Sequence, residues 1–387
     1  MLLDNKQIAI IGGGPGGLTL ARLLQLKGAN VKVYERDVNA GVRVQGATLD
    51  LHFESGLKVI EAAGLMDVFK ETYRPGADKG RVVDSHGNII YDEHTDELSN
   101  DDFDDVNFRP EIDRGPLRDI LLNSLDPNTV VWDSQFKSMS LVNNLWQLEF
   151  KNGATATADI VIGADGANSK IRPFVTPLQP FYAGTVILQG NIPNSEITAP
   201  NMHQLLKGGK VYTHTNGKFL HVSAKGDGSI DFYISSQVNE NWLQNSGIDF
   251  SDREQLLSWF KNEFLGWGNV WLELIENTDL PLLLRPQYCM PLDQTWDAQP
   301  NLTLLGDAAH IMPPSGEGVN LAMLDALELS ECLTSAEYKD IQAAISAYEK
   351  PMQARGIEEA KTSLDGVEWM HTEAANEKLI QLFNQTE

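Results

Sequence analysis

Hydrophobic positions along this chain switch between the period of a strand and that of a helix, and the switch is sharpest at the beginning. Gln7–Ile11 is a short, apolar, largely β-branched run ending in glycine, the pattern of a strand buried on both faces within a parallel sheet. Leu18, Ala21 and Leu24, with Leu20, Leu23 and Leu26, then recur at spacings of three, which predicts a helix over about residues 15–27 with Gly28 as its stop. Residues 31–34 read as a second strand, completing a right-handed βαβ unit.

Further along, residues 56–70 are patterned as a helix, and residues 81–83 and 89–91 as a hairpin around His86-Gly87-Asn88. Residues 100–105 form an acidic polar loop. A helix is expected over about 116–125, and strands at 129–132, 147–150 and 159–162 that return to the first sheet. Between about Pro177 and Leu284 the texture becomes strand-rich, with runs at 184–190, 210–213, 218–223 and 230–235. Turns at Gly208-Gly209, Asn216-Gly217 and Asp227-Gly228 separate them, so a largely antiparallel sheet is expected here. The first unit resumes at about Arg285, with a buried strand at 302–305 and helices from Val319 onward. A polar helical tail over 341–383 should pack across both parts. No internal repeat or low-complexity segment is visible.

These elements predict an α/β protein: a Rossmann-like dinucleotide domain with a parallel sheet, an antiparallel-sheet substrate domain and a C-terminal bridging helix. The expected division gives residues 1–75, 113–176 and 285–340 to the nucleotide domain, 76–112 and 177–284 to the substrate domain, and 341–387 to the tail.

With 387 residues, 42% of them hydrophobic and 22% charged, the chain can bury a large core. Fifty-four acidic against 30 basic side chains give a formal charge of −24, which argues against nucleic-acid or anionic-membrane partners. Only Cys289 and Cys332 are present, so neither a disulfide framework nor a cysteine-rich metal site is available, and a reducing cytoplasm fits. No signal-peptide pattern is visible, nor any run near the roughly 20 apolar residues a membrane helix needs. The eight histidines show no zinc-type spacing with cysteine, and no serine-hydrolase elbow occurs.

Candidate chemistry begins at Gly12-x-Gly14-Pro15-x-Gly17. The first glycine permits a tight turn, the second lets a pyrophosphate approach the backbone, and the third lets helix and strand pack closely. Phosphates would then lie at a helix N-terminus, where free amides and the dipole favour negative charge. Glu35 closes the second strand 18 residues after Gly17, placed to bind ribose hydroxyls. A carboxylate there repels a 2′-phosphate, so this site is for FAD or NAD and not NADP. Arg36 reads equally as a solvated charge and as an adenine contact.

Three separated motifs together resemble the FAD-dependent aromatic hydroxylase family, the class A flavoprotein monooxygenases: the glycine-rich turn, the run from Gly163-Ala164-Asp165-Gly166 to Arg172, and the run from Gly306-Asp307 to Gly316-Glu317-Gly318-Val319-Asn320. The resemblance implies that Asp307 hydrogen-bonds the FAD ribitol and that residues 314–320, including Pro314, Gly316, Gly318, Val319 and Asn320, line the isoalloxazine. Helix N-terminal amides near the flavin pyrimidine would stabilise the negative charge of reduction. Asp307 could instead be a cap or turn residue, and His310 reads better as a structural histidine than as an acid–base catalyst. Asp165 reads also as a turn-holding residue, with Arg172 as its ion-pair partner.

Within that family the chain is most similar to the flavin-dependent tetracycline monooxygenases. That likeness rests on the run from Arg43-Val44-Gln45-Gly46 to His52, on Pro110-Glu111-Ile112-Asp113-Arg114, and on Met312-Pro313-Pro314. It implies that Arg43 lies by the flavin and is linked to NADPH, and that Asp50 and Arg114 contact FAD; surface charge and helix capping are the plainer readings of the two arginines. Gln189 matches a substrate-contacting glutamine, Lys210 stands where those enzymes have arginine, Asp231 where they have histidine, and Glu317 where they have glutamine. Each substrate position reads also as an exposed strand residue.

The activity so implied is NADPH-dependent hydroxylation of a polycyclic or aromatic small molecule through a flavin hydroperoxide, with tetracycline inactivation as one form of it. The alternatives are a hydroxylase of another phenolic or polyketide compound, and a flavin oxidase or reductase without oxygen insertion. FAD would be resident and NADPH a transient co-substrate, since no second glycine fingerprint occurs. Dioxygen and the small molecule would be the partners of a monomer, no side chain acting as nucleophile.

Overall fold

The computed structural model describes residues 2–42, 47–95, 101–215 and 217–384. Arg43 and the three residues after it lie outside the described residues, as do Asn100 and Asn216.

The opening βαβ unit forms as its periodicity requires. Gln7–Ile11 is the central strand of a five-stranded parallel sheet, flanked by Ile160–Gly163 and Asn30–Tyr34, with Leu302–Leu304 and Val130–Val131 at the edges. The intervening helix, Pro15–Leu26, packs along the helix Gly318–Thr334. Ile8, Ile10, Leu18, Leu20 and Leu24 are all fully buried in the resulting core.

Of the three later strands expected to return to this sheet, the structure sends two. Leu145–Phe150 instead sits between Phe136–Val142 and Thr155–Ala158 in a separate three-stranded antiparallel sheet. Strand propensity says that a segment is extended; which sheet it joins depends on partners elsewhere in the chain. The single helix expected over 56–70 is likewise divided into Phe53–Leu57, Lys58–Ala62 and Met66–Lys70. Gly64, at φ +69°, and Leu65 close the second piece.

The second large sheet has seven strands, in the order Leu283–Cys289, Phe181–Ile192, Ile230–Gln237, Lys218–Ala224, Lys210–Thr215, Gly80–Val83 and Ile89–Asp92. All seven strands lie antiparallel to at least one neighbour, and the single parallel pairing is that of Gly80–Val83 with Lys210–Thr215. Gly208-Gly209 therefore is not a hairpin turn: it leads from the helix Pro200–Leu206 into that parallel pairing. Strand Leu283–Cys289 carries this sheet past residue 285, where the first unit was expected to resume.

The two faces of this sheet differ. Leu188, Ile234 and Leu220 form one cross-strand row, and Phe232 and Val222 another; these pack on Met202, Leu206, Leu256, Phe260, Leu274 and Ile275 from three helices absent from the sequence expectation. The opposite face carries Gln189, Tyr233, His221 and Tyr212 as a single row. Against the strands bearing that row lies the C-terminal tail, a 30-residue helix Ile341–Met370 followed by Ala375–Phe383. The long helix packs on Gly318–Thr334, its end reaches His214 through Trp369, and His371 reaches Ser235, so the tail bridges both sheets. No helix among the described residues is long and apolar enough to cross a membrane.

Candidate active site

The glycine turn is shaped by backbone crowding. Gly12 has φ +112°, and a Cβ there would stand 2.3 Å from the Ala164 carbonyl oxygen. At Gly17 a Cβ would stand 2.1 Å from the Gly12 oxygen, so the helix can approach the strand only with glycine. Gly14 differs: nothing lies within 4 Å of its Cβ position. The turn is thus closed on two sides and open on the third, where Pro15 starts the helix and its first-turn amides emerge. That is room for a diphosphate beside a helix N-terminus.

Glu35 is buried beside this turn, its Oε2 accepting from the Gly13 amide at 2.6 Å and its Oε1 from the Asp37 amide at 3.0 Å. Arg36 is exposed and makes no ion pair with a described residue. The neighbouring cation that is held is Arg118, which donates to Asp37 and to the Ala40 carbonyl and lies over the Trp132 ring. Sequence reading passed over Arg118 because its partners are 81 and 78 residues away.

At the end of the strand Leu302–Leu304, Gly306 turns the chain so that Asp307 is exposed, its carboxylate without a hydrogen-bond partner among the described residues. Arg172 fixes this segment from behind, donating to the carbonyls of Asp307 and Ala308 at 2.7 Å each and to Ala167 at 3.1 Å. The expected Arg172–Asp165 ion pair is not made. Asp165 instead accepts from the Ser169 hydroxyl and the Lys170 amide, both at 2.6 Å, holding its own turn, while burial pushes its carboxyl upward. His310 is buried on Asp325, which also accepts from the Gly306 amide and from Arg355.

Pro314, Gly316 and Gly318 are exposed at the start of Gly318–Thr334. Val319 and Asn320 turn their side chains into the protein. Val319 joins the main core, and the Asn320 amide accepts from the His52 and Gly56 backbone amides and donates to the Asp50 carbonyl. Only their main-chain groups, in the first turn of the helix, are left to a ligand. Arg114 opens the helix Arg114–Asn123 and donates to the Ala47 carbonyl, bringing it beside the segment that carries Asp50.

On the sheet, Gln189 and Lys210 are already engaged. Arg285 donates to the Gln189 oxygen at 2.6 Å, which fixes the amide orientation, and the Gln189 nitrogen donates to Asp231 at 2.9 Å. Burial raises the Asp231 carboxyl to about 6 against the lowering influence of Gln189. The Lys210 ammonium bonds the buried Glu111. Between these two polar groups runs a feature that sequence reading missed. Tyr212 and His221 stack with ring centroids 4.6 Å apart and planes 3° from parallel, and His221 and Tyr233 follow at 5.9 Å and 18°. Burial drives His221 down to about 3 and both tyrosines up to about 12, so the row is neutral at ordinary pH. Alternation of polar-tipped rings with aliphatic residues along 211–223 and 230–234 was its available signal.

A family profile described as FAD binding domain matches residues 5–113 and 294–356, which contain the open glycine turn, Asp307 and the Gly316–Asn320 run. Among curated proteins, Monooxygenase penA of Penicillium thymicola is 27% identical over 375 residues, covering 84% of this chain and 84% of its own. The 6-hydroxynicotinate 3-monooxygenase of Pseudomonas fluorescens is 27% identical over 391 residues, covering 95% and 93%. Over the matched residues the chain carries an FAD binding domain, and over most of its length it is similar to FAD-dependent aromatic hydroxylases. It is a flavin-dependent monooxygenase, and FAD is its cofactor. Its fold is also that of the tetracycline destructase Tet(51), with a TM-score of 0.73, 21% identity and coverage of 98% of this chain and 95% of that one. The profile stops short of the seven-stranded sheet's central strands, whereas the likeness to the curated relatives extends over most of the chain.

Proposed function

We propose that this hydroxylase consumes NADPH and dioxygen to place one oxygen on a flat, electron-rich aromatic or polycyclic molecule lying against the sheet. The observation that carries the reading is the row of neutral, near-parallel rings Tyr212, His221 and Tyr233 on the face turned away from the sheet's apolar packing. Such a row, its rings stacked on one another along the sheet, presents neutral ring edges and polar tips without a fixed charge. Bound FAD supplies the redox chemistry with oxygen. The chain's own part is to hold and orient. Gly12, Gly14 and Gly17 make room for the diphosphate, and Arg172 keeps the Asp307 carboxylate presented to the ribitol. Arg114, Asp50 and the first-turn amides at Gly318 border the ring, and the sheet face excludes water from the substrate. NADPH acts transiently, since Glu35 disfavours its 2′-phosphate in the glycine turn.

Tetracyclines belong to this substrate class, and the fold shared with Tet(51) supports testing them. Lys210 and Gln189 stand against them as primary anchors, because Glu111, Arg285 and Asp231 already occupy their polar ends. A phenolic or N-heteroaromatic compound that packs on these ring edges without an ionic anchor is the better fit. The test is purified protein with FAD, NADPH and a panel of hydroxylated aromatics, N-heteroaromatics and tetracyclines, read by mass spectrometry and NADPH consumption. A product heavier by one oxygen supports the proposal; peroxide release with every compound unchanged replaces it with an oxidase.

A further inference from the structure

A half-buried chain of charge, with only Glu111 fully enclosed, joins the seven-stranded sheet to the helix that opens at Gly318. Asp50 and Glu111 are direct cross-strand partners in the short pairing of Leu49–Asp50 with Glu111–Ile112. Like charges directly opposite are destabilising unless cations attend them. Lys210 attends one side through Glu111. His52 attends the other, with Nε2 3.0 Å from Asp50 Oδ2 and Nδ1 3.1 Å from Glu317 Oε1. A carboxylate can only accept, so an imidazole with a carboxylate on each nitrogen carries a proton on both. Glu317 immediately precedes the helix Gly318–Thr334, and Asn320 reinforces the same junction by accepting from the His52 backbone amide.

We propose that His52 is a positioning residue: as an imidazolium it ties Asp50 to Glu317, fixes residues 314–318, and cancels a negative charge beside the first turn of the helix from Gly318. The proposal rests on the reading that this first turn borders the flavin ring. The electrostatics agree with the geometry. Burial opposes charge on His52, but the hydrogen bonds and charges of Asp50 and Glu317 outweigh it and raise the imidazole to about 9. Asp50 is correspondingly held down at about 2 in spite of its burial, by His52 and Lys210. The other charged groups in reach are Glu111, and, on the helix Ile341–Met370, Glu359 and Arg355. Without the imidazolium, Asp50, Glu317 and Glu359 would leave an excess of negative charge where reduction of a flavin adds more. That excess would disfavour the reduced cofactor.

The variants His52→Gln, Glu317→Gln and their combination test this with two readouts. In FAD-free protein, nitrogen-edited NMR should find His52 doubly protonated at neutral pH, and Glu317→Gln should bring its titration down toward the ordinary histidine range. In FAD-loaded protein, His52→Gln should make the flavin midpoint potential more negative, Glu317→Gln should make it more positive, and the double variant should fall between them. A residue that only packs would not produce opposite signs from two partners. Ordinary titration of His52 in the wild type overturns the latch and leaves the ring placement standing. A persistent imidazolium with one potential in all variants overturns the coupling, and with it the placement of the ring. Should His52→Gln fail to fold, Glu317→Gln carries both readouts.

Discussion

Replacing Asp325 by asparagine probes the support beneath Gly306 and Asp307. The carboxylate is fully buried on the helix Gly318–Thr334. Its Oδ2 accepts from the Gly306 amide at 2.9 Å and lies 2.7 Å from His310 Nε2, while Oδ1 accepts from Arg355 at 2.8 Å. An amide has one acceptor end, so in either orientation its NH2 group meets donors: Gly306 and His310, or Arg355. Each charge-assisted hydrogen bond is worth about 1.5–3 kcal/mol, and stripping one partner from a buried ion pair costs about 3–5 kcal/mol. The two figures describe overlapping losses and do not add. Arg355 retains Glu328 at 3.0 and 2.9 Å, which puts the expected loss at the lower end, about 3 kcal/mol. Equilibrium urea unfolding of the FAD-free variant should show this as a lower midpoint with an unchanged slope. Because Gly306 positions Asp307, FAD retained after gel filtration should fall as well. A stability change under about 1 kcal/mol with full FAD retention would refute the argument that this carboxylate holds the turn.

Two glycines should separate folding from cofactor binding. Gly17→Ala forces a Cβ toward the Gly12 oxygen and should cost about 1–3 kcal/mol in thermal or urea unfolding of FAD-free protein. Gly14→Ala meets open space, so FAD-free stability should stay within about 0.5 kcal/mol while FAD affinity, read by flavin fluorescence, drops. Since the native value of His52 is raised from 6.5 to about 9, its contribution is complete below about 6.5 and is lost as pH rises through 9. It amounts to about 3 kcal/mol at most, and His52→Gln should flatten that alkaline decline in urea midpoints. Asp231 is raised from 3.8 to about 6, so its buried charge opposes folding at neutral pH and the opposition fades as pH falls through 6 toward 3.8. Asp231→Asn should therefore stabilise by about 1–3 kcal/mol at neutral pH and by much less in acid; equal effects at both would contradict the sign.

How far the sequence reached depended on the range of the interaction. Ile8, Leu18, Leu24 and Val33 declare a strand, a helix and a strand because burial on a regular element repeats with that element's own period. The glycine turn was readable too, since Gly12 crowds Gly17 and Glu35 crowds Gly13 within one βαβ unit, although the crowding at Gly12 itself comes from the distant Ala164. Leu145–Phe150 was recognised as a strand and given the wrong sheet, because pairing is decided by Phe136–Val142 and Thr155–Ala158 rather than by the strand itself. The helices Pro200–Leu206, Arg253–Glu263 and Leu272–Asn277 were missed inside a strand-rich stretch, being short and apolar chiefly where they meet the sheet.

By itself, then, the sequence determined the βαβ unit and its glycine turn, because periodicity and glycine placement are properties of neighbouring residues; these left FAD or NAD open, and FAD followed from the family resemblance of the three separated motifs. Only the tertiary structure decided which polar side chains remain available. Gln189, Lys210 and Asn320 have the right chemistry for a ligand, yet Arg285, Glu111 and the backbone of residues 50–56 take up their hydrogen-bonding groups. Conversely Asp307 stays exposed because Arg172 holds its carbonyl and not its carboxylate. A side chain's identity fixes what it can bond to, and the packing of distant segments, which excludes water and supplies partners, fixes whether that capacity is still unspent.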